Sequence, residues 1–305
     1  MGSRPPRNSE VNCGAHAPVS HHLLAHIDPR RYGVDLADEQ SNSGGQLTHP
    51  SIQSARDFVQ EAELPEPPPI NFSIAKAPFN LDPSSDQAAV VGSDVVAFMK
   101  GVTREQRQDV MNATLLAQLV ARKQIPTPES LEQIERWYDE YFDVLTKIGF
   151  QLTNRDFSEY HEHSGTFEAH QAILDIATAL LVGAPGALAL VKTTLEALQR
   201  MSADSPWITL FNRESHSANA ARFQVSVVEQ DENGGVVLSV ISFGLQAEHK
   251  VTQVLFFKFK KNDVRLQQHS GKVTINAPVL AAVRTQIADR LIAYSTDFIQ
   301  GLPPL

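Results

Sequence analysis

The segment from residue 166 to residue 201 has the sequence TFEAHQAILDIATALLVGAPGALALVKTTLEALQRM. Its apolar residues follow helical spacing on both sides of a Gly-Ala-Pro-Gly turn at 183–186, and the halves nearest this turn are apolar on almost every face. Helices with this pattern are buried in a protein core or lie in lipid. The charged residues are concentrated at the far ends of the segment. We therefore predict two helices, 166–182 and 186–201, that form an apolar-tipped hairpin.

Two interpretations of this hairpin are open. In the first, it is a central helical pair wrapped by other helices and a sheet, and its apolar residues are ordinary core. In the second, it leaves the core to enter lipid, or it lines a cavity for an acyl chain. Each apolar half is shorter than the roughly 20 residues that span a bilayer, so a pore would require extension or oligomerisation. The residues expected to contact lipid in the second interpretation are Leu180, Leu181, Pro185, Leu188 and Leu190.

Helical spacing also precedes the hairpin. The apolar residues within 90–99 predict a short first helix. Thr103 begins a second helix, because Gln106 three residues later completes the pattern of a capping box. A third helix is predicted within 127–149, where apolar residues recur at steps of three and four. The whole segment 86–201 is therefore predicted to be helical.

After residue 204 the apolar residues alternate with polar ones, which is the spacing of strands. We predict strands at 223–227, 236–245 and 251–261, then a hairpin that turns at Ser270 and Gly271, then a helix that begins at Pro278. Strands joined by short turns form an antiparallel meander, and the last helix is able to cover one of its faces. The predicted class is α+β: a helical N-terminal part with an apolar hairpin, then an antiparallel β-meander closed by a C-terminal helix.

The first 85 residues differ from the rest of the chain. They contain eleven of the 18 prolines and the single cysteine, Cys13, and only 54–62 suggests a short helix. Such a segment buries too little apolar surface to offset its ordering entropy. We predict a proline-rich, largely irregular leader at 1–85, or an arm that packs on a partner, followed by one α+β domain at 86–305.

Composition excludes several classes of protein. One cysteine is incompatible with a disulfide scaffold or a paired-cysteine metal site. A net charge of −9 makes nucleic acid an unlikely main partner. No apolar stretch follows the N-terminal basic residues as in a cleaved signal, and none is long enough to span a membrane. The expected localisation is therefore cytoplasmic, or export by a route without such a signal.

Motifs that carry enzymatic chemistry are absent or weak. His161, His163 and His170 are interspersed with glutamates, but their spacing matches no common metal site, so they are weak metal candidates. Ser215, His216 and Ser217 are adjacent without the strand–turn–helix motif of a nucleophilic serine. No glycine-rich phosphate loop is present. The sequence therefore predicts no cofactor and favours a protein that is not an enzyme.

Basic residues are clustered near the end of the predicted sheet. They are Lys258, Lys260, Lys261 and Arg265. Cations beside aromatic residues suit an anionic surface such as a membrane, whereas lysines at strand ends also prevent edge-to-edge pairing. Both interpretations are open.

Three functional hypotheses follow. The first is a protein without enzymatic chemistry that engages a lipid, a membrane surface or a protein groove. An apolar helical hairpin beside an antiparallel sheet resembles the layout of some soluble membrane-active toxins, and this resemblance covers about half the chain. The second hypothesis is an oligomerising structural protein with the leader as its docking arm. The third is an unrecognised hydrolase or metalloenzyme.

Overall fold

The chain divides into two units, Met1–Leu47 and Thr48–Leu305. The computed structural model describes residues of the second unit only, at 50–68, 80–152, 156–160, 166–248, 250–251, 254–256, 258–260 and 263–305. Most of the predicted leader, with Cys13, lies outside the described residues.

Seven helices and eleven strands are found within the described residues. The helices are α1 (Ile52–Glu61), α2 (Arg104–Gln124), α3 (Leu131–Lys147), α4 (Ala169–Leu180), α5 (Pro185–Gln199), α6 (Pro206–Ser215) and α7 (Ala277–Phe298). The strands are β1 (Gln87–Val91), β2 (Asp94–Phe98), β3 (Phe150–Leu152), β4 (Ser158–Glu159), β5 (Thr166–Glu168), β6 (His216–Ser217), β7 (Ala220–Gln230), β8 (Val236–Ala247), β9 (Lys258–Lys260), β10 (Val264–Ile275) and β11 (Ile299–Gly301). The protein therefore has the mixed α+β composition that the sequence predicts.

One sheet organises the fold. Its strand order is β11-β1-β2-β7-β8-β10-β3, with β6 added on β7 and β4 added on β10. All neighbouring strands are antiparallel except β2 and β7, which run parallel. Strands β7, β8 and β10 form a meander, and β5 pairs with β9 in a separate two-stranded sheet.

The first predicted helix is wrong. Residues 87–91 and 94–98 form the antiparallel hairpin β1–β2. Gly92 occupies the turn with φ of +57°, a conformation that favours glycine. The valines on both sides of this turn are β-branched, and they suit a strand that is buried on both faces. The helical segment therefore begins at α2 rather than at residue 86. Strands β3, β4 and β5 also interrupt it between α3 and α4, so the first helix of the predicted hairpin begins at Ala169 rather than at residue 166.

Two further strand predictions are wrong. Among the described residues of 251–261, only β9 is a strand, and it pairs with β5 instead of the main sheet. Val251, Val254 and Leu255 are buried in the preceding loop, where they complete an apolar cluster. The predicted turn at Ser270 and Gly271 is also absent, because β10 continues through it and pairs with β8 from Val264 to Thr274. Pairing along the whole strand overrides the local turn signal.

Helices cover both faces of the sheet. Val96 and Phe98 of β2 belong to one apolar cluster, which also contains residues of α1, α2, α3 and α7. Val95 and Ala97 point the other way, into a second cluster with residues of α4, α5 and α6. The alternation of side chains along β2 thus connects two cores, and the sheet is buried between two helical layers.

Part of the predicted leader belongs to the folded body. Helix α1 packs on α7 with Ala55 and Val59 fully buried. Its C-terminal carbonyls accept hydrogen bonds from Arg290, including one at 2.9 Å to the carbonyl of Val59. The short helix that the sequence suggests at 54–62 is therefore present as α1, and it packs on α7 of the predicted 86–305 domain.

Candidate functional site

The candidate site is the hairpin of α4 and α5. Pro185 is the first residue of α5. A backbone N–H at this position makes no hydrogen bond within the helix, so proline is tolerated there. Gly183 has φ of +90°, in the left-handed region that favours glycine, so the two helices reverse direction within a few residues. The inner face is apolar and packs on the sheet, with Ile173, Ala177 and Val191 fully buried.

The tip of the hairpin, residues 181–186, is uncharged and partly exposed. Val182 is 80% exposed, which is the highest value among the large apolar residues in the described part of the chain. Gly183, Pro185 and Gly186 are also exposed. The sixteen residues from Ile176 to Val191 contain no charged side chain. The tip is thus an apolar point at the surface, in contact with water.

The predicted lipid contacts occupy three environments. Leu181 and Leu190 are buried and belong to the core beneath the hairpin. Leu180 and Leu188 are half-buried at its margin, and Pro185 is exposed. Val182 was not among the predicted contacts, although it lies in the same apolar run. Its exposure follows from its position at the C-terminal end of α4, just before the turn.

Helices α2 and α3 are attached to the sheet differently from the α4–α5 hairpin. In the layer that contains α2 and α3, the Tyr138 hydroxyl lies 3.0 Å from the carbonyl oxygen of Phe223 and 3.1 Å from that of Phe243. The Gln118 amide donates a 2.8 Å hydrogen bond to the carbonyl of Val91. Such directional bonds hold a helix in one position on the sheet.

Within the described residues, no hydrogen bond or ion pair joins a side chain of α5 to another element. Helix α4 has two such contacts: the Tyr160 hydroxyl lies 3.3 Å from Asp175 Oδ2, and His170 Nδ1 lies 3.9 Å from Glu168 Oε2 of β5. The Thr194 hydroxyl is buried without a partner. The hairpin is therefore held to the sheet almost entirely by apolar contact, which is non-directional.

Polar groups are buried beneath α2 and α3. Ser226 donates a 2.8 Å hydrogen bond to Asp94 Oδ2, while Asp94 Oδ1 has no hydrogen-bond partner. Burial raises the pKa of Asp94 to about 7. Arg222 packs 3.8 Å from the ring centre of Trp137 and donates a 2.7 Å hydrogen bond to the Ser93 hydroxyl. Burial lowers the pKa of Arg222 to about 10, so its side chain stays charged at neutral pH.

Two residues of the predicted basic cluster, Lys258 and Arg265, are described, and neither lies at the tip. Lys258 Nζ forms a 2.7 Å ion pair with Glu168 Oε1, immediately before the start of α4. Helix α4 has 12 residues and is about 18 Å long, so this pair lies one helix length from the tip. Arg265 is exposed on β10. The side chain of Lys260 and the whole of Lys261 lie outside the described residues.

The predicted histidines form no described metal site. His161 and His163 lie outside the described residues. His170 is half-buried, and its Nδ1 lies 3.9 Å from Glu168 Oε2. No group of three or more His, Cys, Asp or Glu side chains that could hold a metal ion is found among the residues that the structure describes.

The adjacent serines and histidine at 215–217 do not form a catalytic arrangement. His216 Nδ1 lies 2.5 Å from the carbonyl oxygen of Asn212. The Ser217 hydroxyl donates a 2.6 Å hydrogen bond to the carbonyl of Pro128. Both side chains therefore contact backbone carbonyl oxygens, that of His216 one helical turn earlier and that of Ser217 in the segment between α2 and α3.

In the part of the chain that the structure describes, no helix combines the length and hydropathy required to cross a membrane. No protein-family profile and no curated protein matches this sequence.

Three solved structures show a distant likeness to the chain. A delta-endotoxin is 14% identical, with a TM-score of 0.34, over 71% of this chain and 96% of the endotoxin. The activated Cyt2Ba monomer from Bacillus thuringiensis subsp. israelensis is 13% identical, with a TM-score of 0.28, over 45% of this chain and 79% of Cyt2Ba. The Evf virulence factor is 13% identical, with a TM-score of 0.30, over 69% of this chain and 83% of Evf. At such scores the likeness establishes no shared family.

Proposed function

We propose that this protein engages a lipid bilayer surface through the tip of the α4–α5 hairpin, without enzymatic chemistry. The observation that carries the proposal is the exposed Val182 at the end of an uncharged apolar hairpin. Removing such a side chain from water is favourable by about 1 to 2 kcal/mol, which supports a first, reversible contact.

The attachment of the hairpin supports a second step, in which it moves from the sheet into the interface of the bilayer. Apolar contacts such as those of Leu181 and Leu190 can be exchanged for lipid at little net cost, since acyl chains are as apolar as leucine. The layer that contains α2 and α3 lacks this freedom, because its buried hydrogen bonds would be broken in lipid without replacement.

The dimensions favour insertion into the interface over spanning. Helix α4 is about 18 Å long and the 15-residue helix α5 about 22 Å, whereas the hydrocarbon core is about 30 Å thick. The charged outer residues Asp175 and Lys192 lie on the far side of the apolar run from the tip. They would remain at the level of the lipid headgroups.

The first test replaces Val182 with aspartate and measures co-sedimentation with lipid vesicles. A charge at an inserted position should weaken vesicle binding at least about tenfold, because a carboxylate is costly to bring into the bilayer. Ile292→Asp is the matched control, since Ile292 is 70% exposed on α7 in the opposite layer and should leave binding unchanged. Failure of the wild-type chain to bind vesicles would contradict the proposal, as would equal losses in both variants.

A further inference from the structure

A second feature lies at the other end of the sheet, where α2 and α6 end and β7 begins. A cleft of about 430 Å³, counting its open mouth, is found there. Its walls include Arg122, Arg213, Glu214, Ser215 and Arg222. Nothing in the proposed membrane contact uses these residues.

The cleft combines three guanidinium groups with one carboxylate. Glu214 is nearly buried, and both of its oxygens are occupied: Oε2 lies 2.8 Å from Arg122 and Oε1 lies 2.7 Å from Arg213. Arg122 and Arg213 also complement the negative C-terminal ends of their own helices. Arg222 is explained neither by an ion pair with Glu214 nor by a helix end. It is on a strand and has no carboxylate ion-pair partner among the described residues.

Two donors that belong to residues lining the cleft are buried and have no hydrogen-bond partner. Arg222 is 6% exposed, and its Nε has no hydrogen-bond partner. Ser215 is 2% exposed, and its hydroxyl has no hydrogen-bond partner either. The charge of Glu214 acts on Arg222, but no carboxylate among the described residues forms an ion pair with it. A buried cation without a direct carboxylate partner and a buried donor without an acceptor each oppose folding. An anion in the cleft would relieve both.

We propose that this cleft binds a phosphate group, with Arg222 Nε and the Ser215 hydroxyl as inner donors and Arg122 at the mouth. A tetrahedral, multiply charged oxyanion suits a site with an excess of guanidinium groups, which form strong charge-assisted hydrogen bonds with phosphate oxygens. The phosphate could belong to a soluble compound or to a lipid headgroup.

The location of the cleft favours the soluble compound. The cleft is beside Ala220 and Arg222 at the start of β7. The hairpin tip is near the other end, because a Cβ on Gly186 would lie 3.0 Å from Met99, whose N–H donates to the carbonyl of Val228. Eight residues of strand separate the two ends by about 26 Å. The inference does not depend on the proposed membrane contact.

The test measures binding of inorganic phosphate to the full chain by calorimetry and by the shift in unfolding temperature, against chloride at equal ionic strength. Phosphate should bind and stabilise the wild-type protein in a saturable manner. Ser215→Ala removes an unpartnered hydroxyl and should fold normally, and Arg122→Gln removes a charge at the mouth. Each should weaken phosphate binding at least about tenfold. Arg136→Gln, at an exposed position on α3, should leave binding unchanged.

Equal stabilisation by phosphate and chloride would overturn the proposal, as would equal effects in all variants. The same variants tested on vesicles with and without phosphatidic acid identify the source. Loss of inorganic phosphate binding with unchanged vesicle binding assigns a soluble compound. Loss of binding only to phosphatidic acid vesicles assigns a lipid headgroup.

Discussion

Asp94 is a carboxyl group under two opposing influences. Its burial favours the neutral acid, and the hydrogen bond from Ser226 favours the carboxylate. Burial dominates and raises the pKa from 3.8 to about 7. The folded state therefore holds a proton that the unfolded state releases at lower pH. The contribution of Asp94 to stability is most favourable below pH 4, declines as the pH rises from about 4 to 7, and is constant above.

We predict that the free energy of unfolding falls by about 2 to 3 kcal/mol between pH 5 and pH 8 because of this group. Asp94→Asn keeps the size and polarity of the side chain but cannot ionise. It should abolish that part of the decline and make the variant more stable than the wild type at pH 8. Urea unfolding of both proteins at the two pH values measures the effect. Parallel declines in the two proteins would show that Asp94 is not responsible.

The sequence could not predict that Asp94, Arg222 and Gln224 are buried. In β7, polar side chains such as Arg222 and Gln224 alternate with apolar ones, a pattern typical of a sheet with one face in water. Here the polar face is covered by α2 and α3, and only some of its polar atoms find partners, such as Ser226 with Asp94 and Gln224 with Ser242. Only the placement of the helices distinguishes the two cases.

At the scale of elements, the α4–α5 hairpin should differ in local stability from α2 and α3. Helices α2 and α3 have buried side-chain bonds to the sheet, from Gln118 and Tyr138, whereas α4 and α5 rely almost entirely on apolar contact. A layer with few directional bonds opens at lower free energy than the whole protein. This difference is what allows the hairpin alone to leave the sheet.

Hydrogen exchange under native conditions tests this difference. Amides of α4 and α5 should exchange at least about tenfold faster than those of α2 and α3, because they open without global unfolding. The comparison uses central residues of each helix, away from frayed ends. Equal protection in both layers would mean that the hairpin opens only when the whole protein unfolds, and the second step of the proposed function would fail.

Elements with local signals were predictable. The capping box at Thr103 and Gln106 is present at the start of α2, with hydrogen bonds of 3.0 and 3.2 Å. The sequence predicts a helix where the β1–β2 hairpin lies. Over so short a run, closely spaced valines fit both the helical spacing and the alternating spacing of a strand. Its identity depends on pairing with β7 and β11, which are distant in sequence. Strand β9 likewise forms by pairing with β5, which is distant in sequence.

At the scale of the whole molecule, the two candidate sites lie at opposite ends of β7. The hairpin tip is apolar and uncharged, while the cleft is cationic and partly enclosed. A membrane that contacts the tip therefore leaves the cleft facing water. Lys258 of β9 pairs with Glu168 before the start of α4, so it is not positioned to assist the tip.

The apolar run at 176–191 identified the candidate site from sequence, but not its exposed residue. The run is equally apolar at Leu181 and Val182, yet only the second is exposed. The difference arises from where α4 ends and which side faces the sheet. Helical spacing alone leaves that boundary uncertain by a few residues.

The most direct test of the central claim is the environment of residue 182 on a vesicle. Cys13→Ser removes the only thiol. Val182→Cys or Ile292→Cys then carries a polarity-sensitive nitrobenzoxadiazole label. On addition of vesicles, emission from position 182 should rise several-fold and shift to the blue as the tip enters lipid, and emission from position 292 should stay constant. No change at position 182, or equal changes at both positions, would contradict the account.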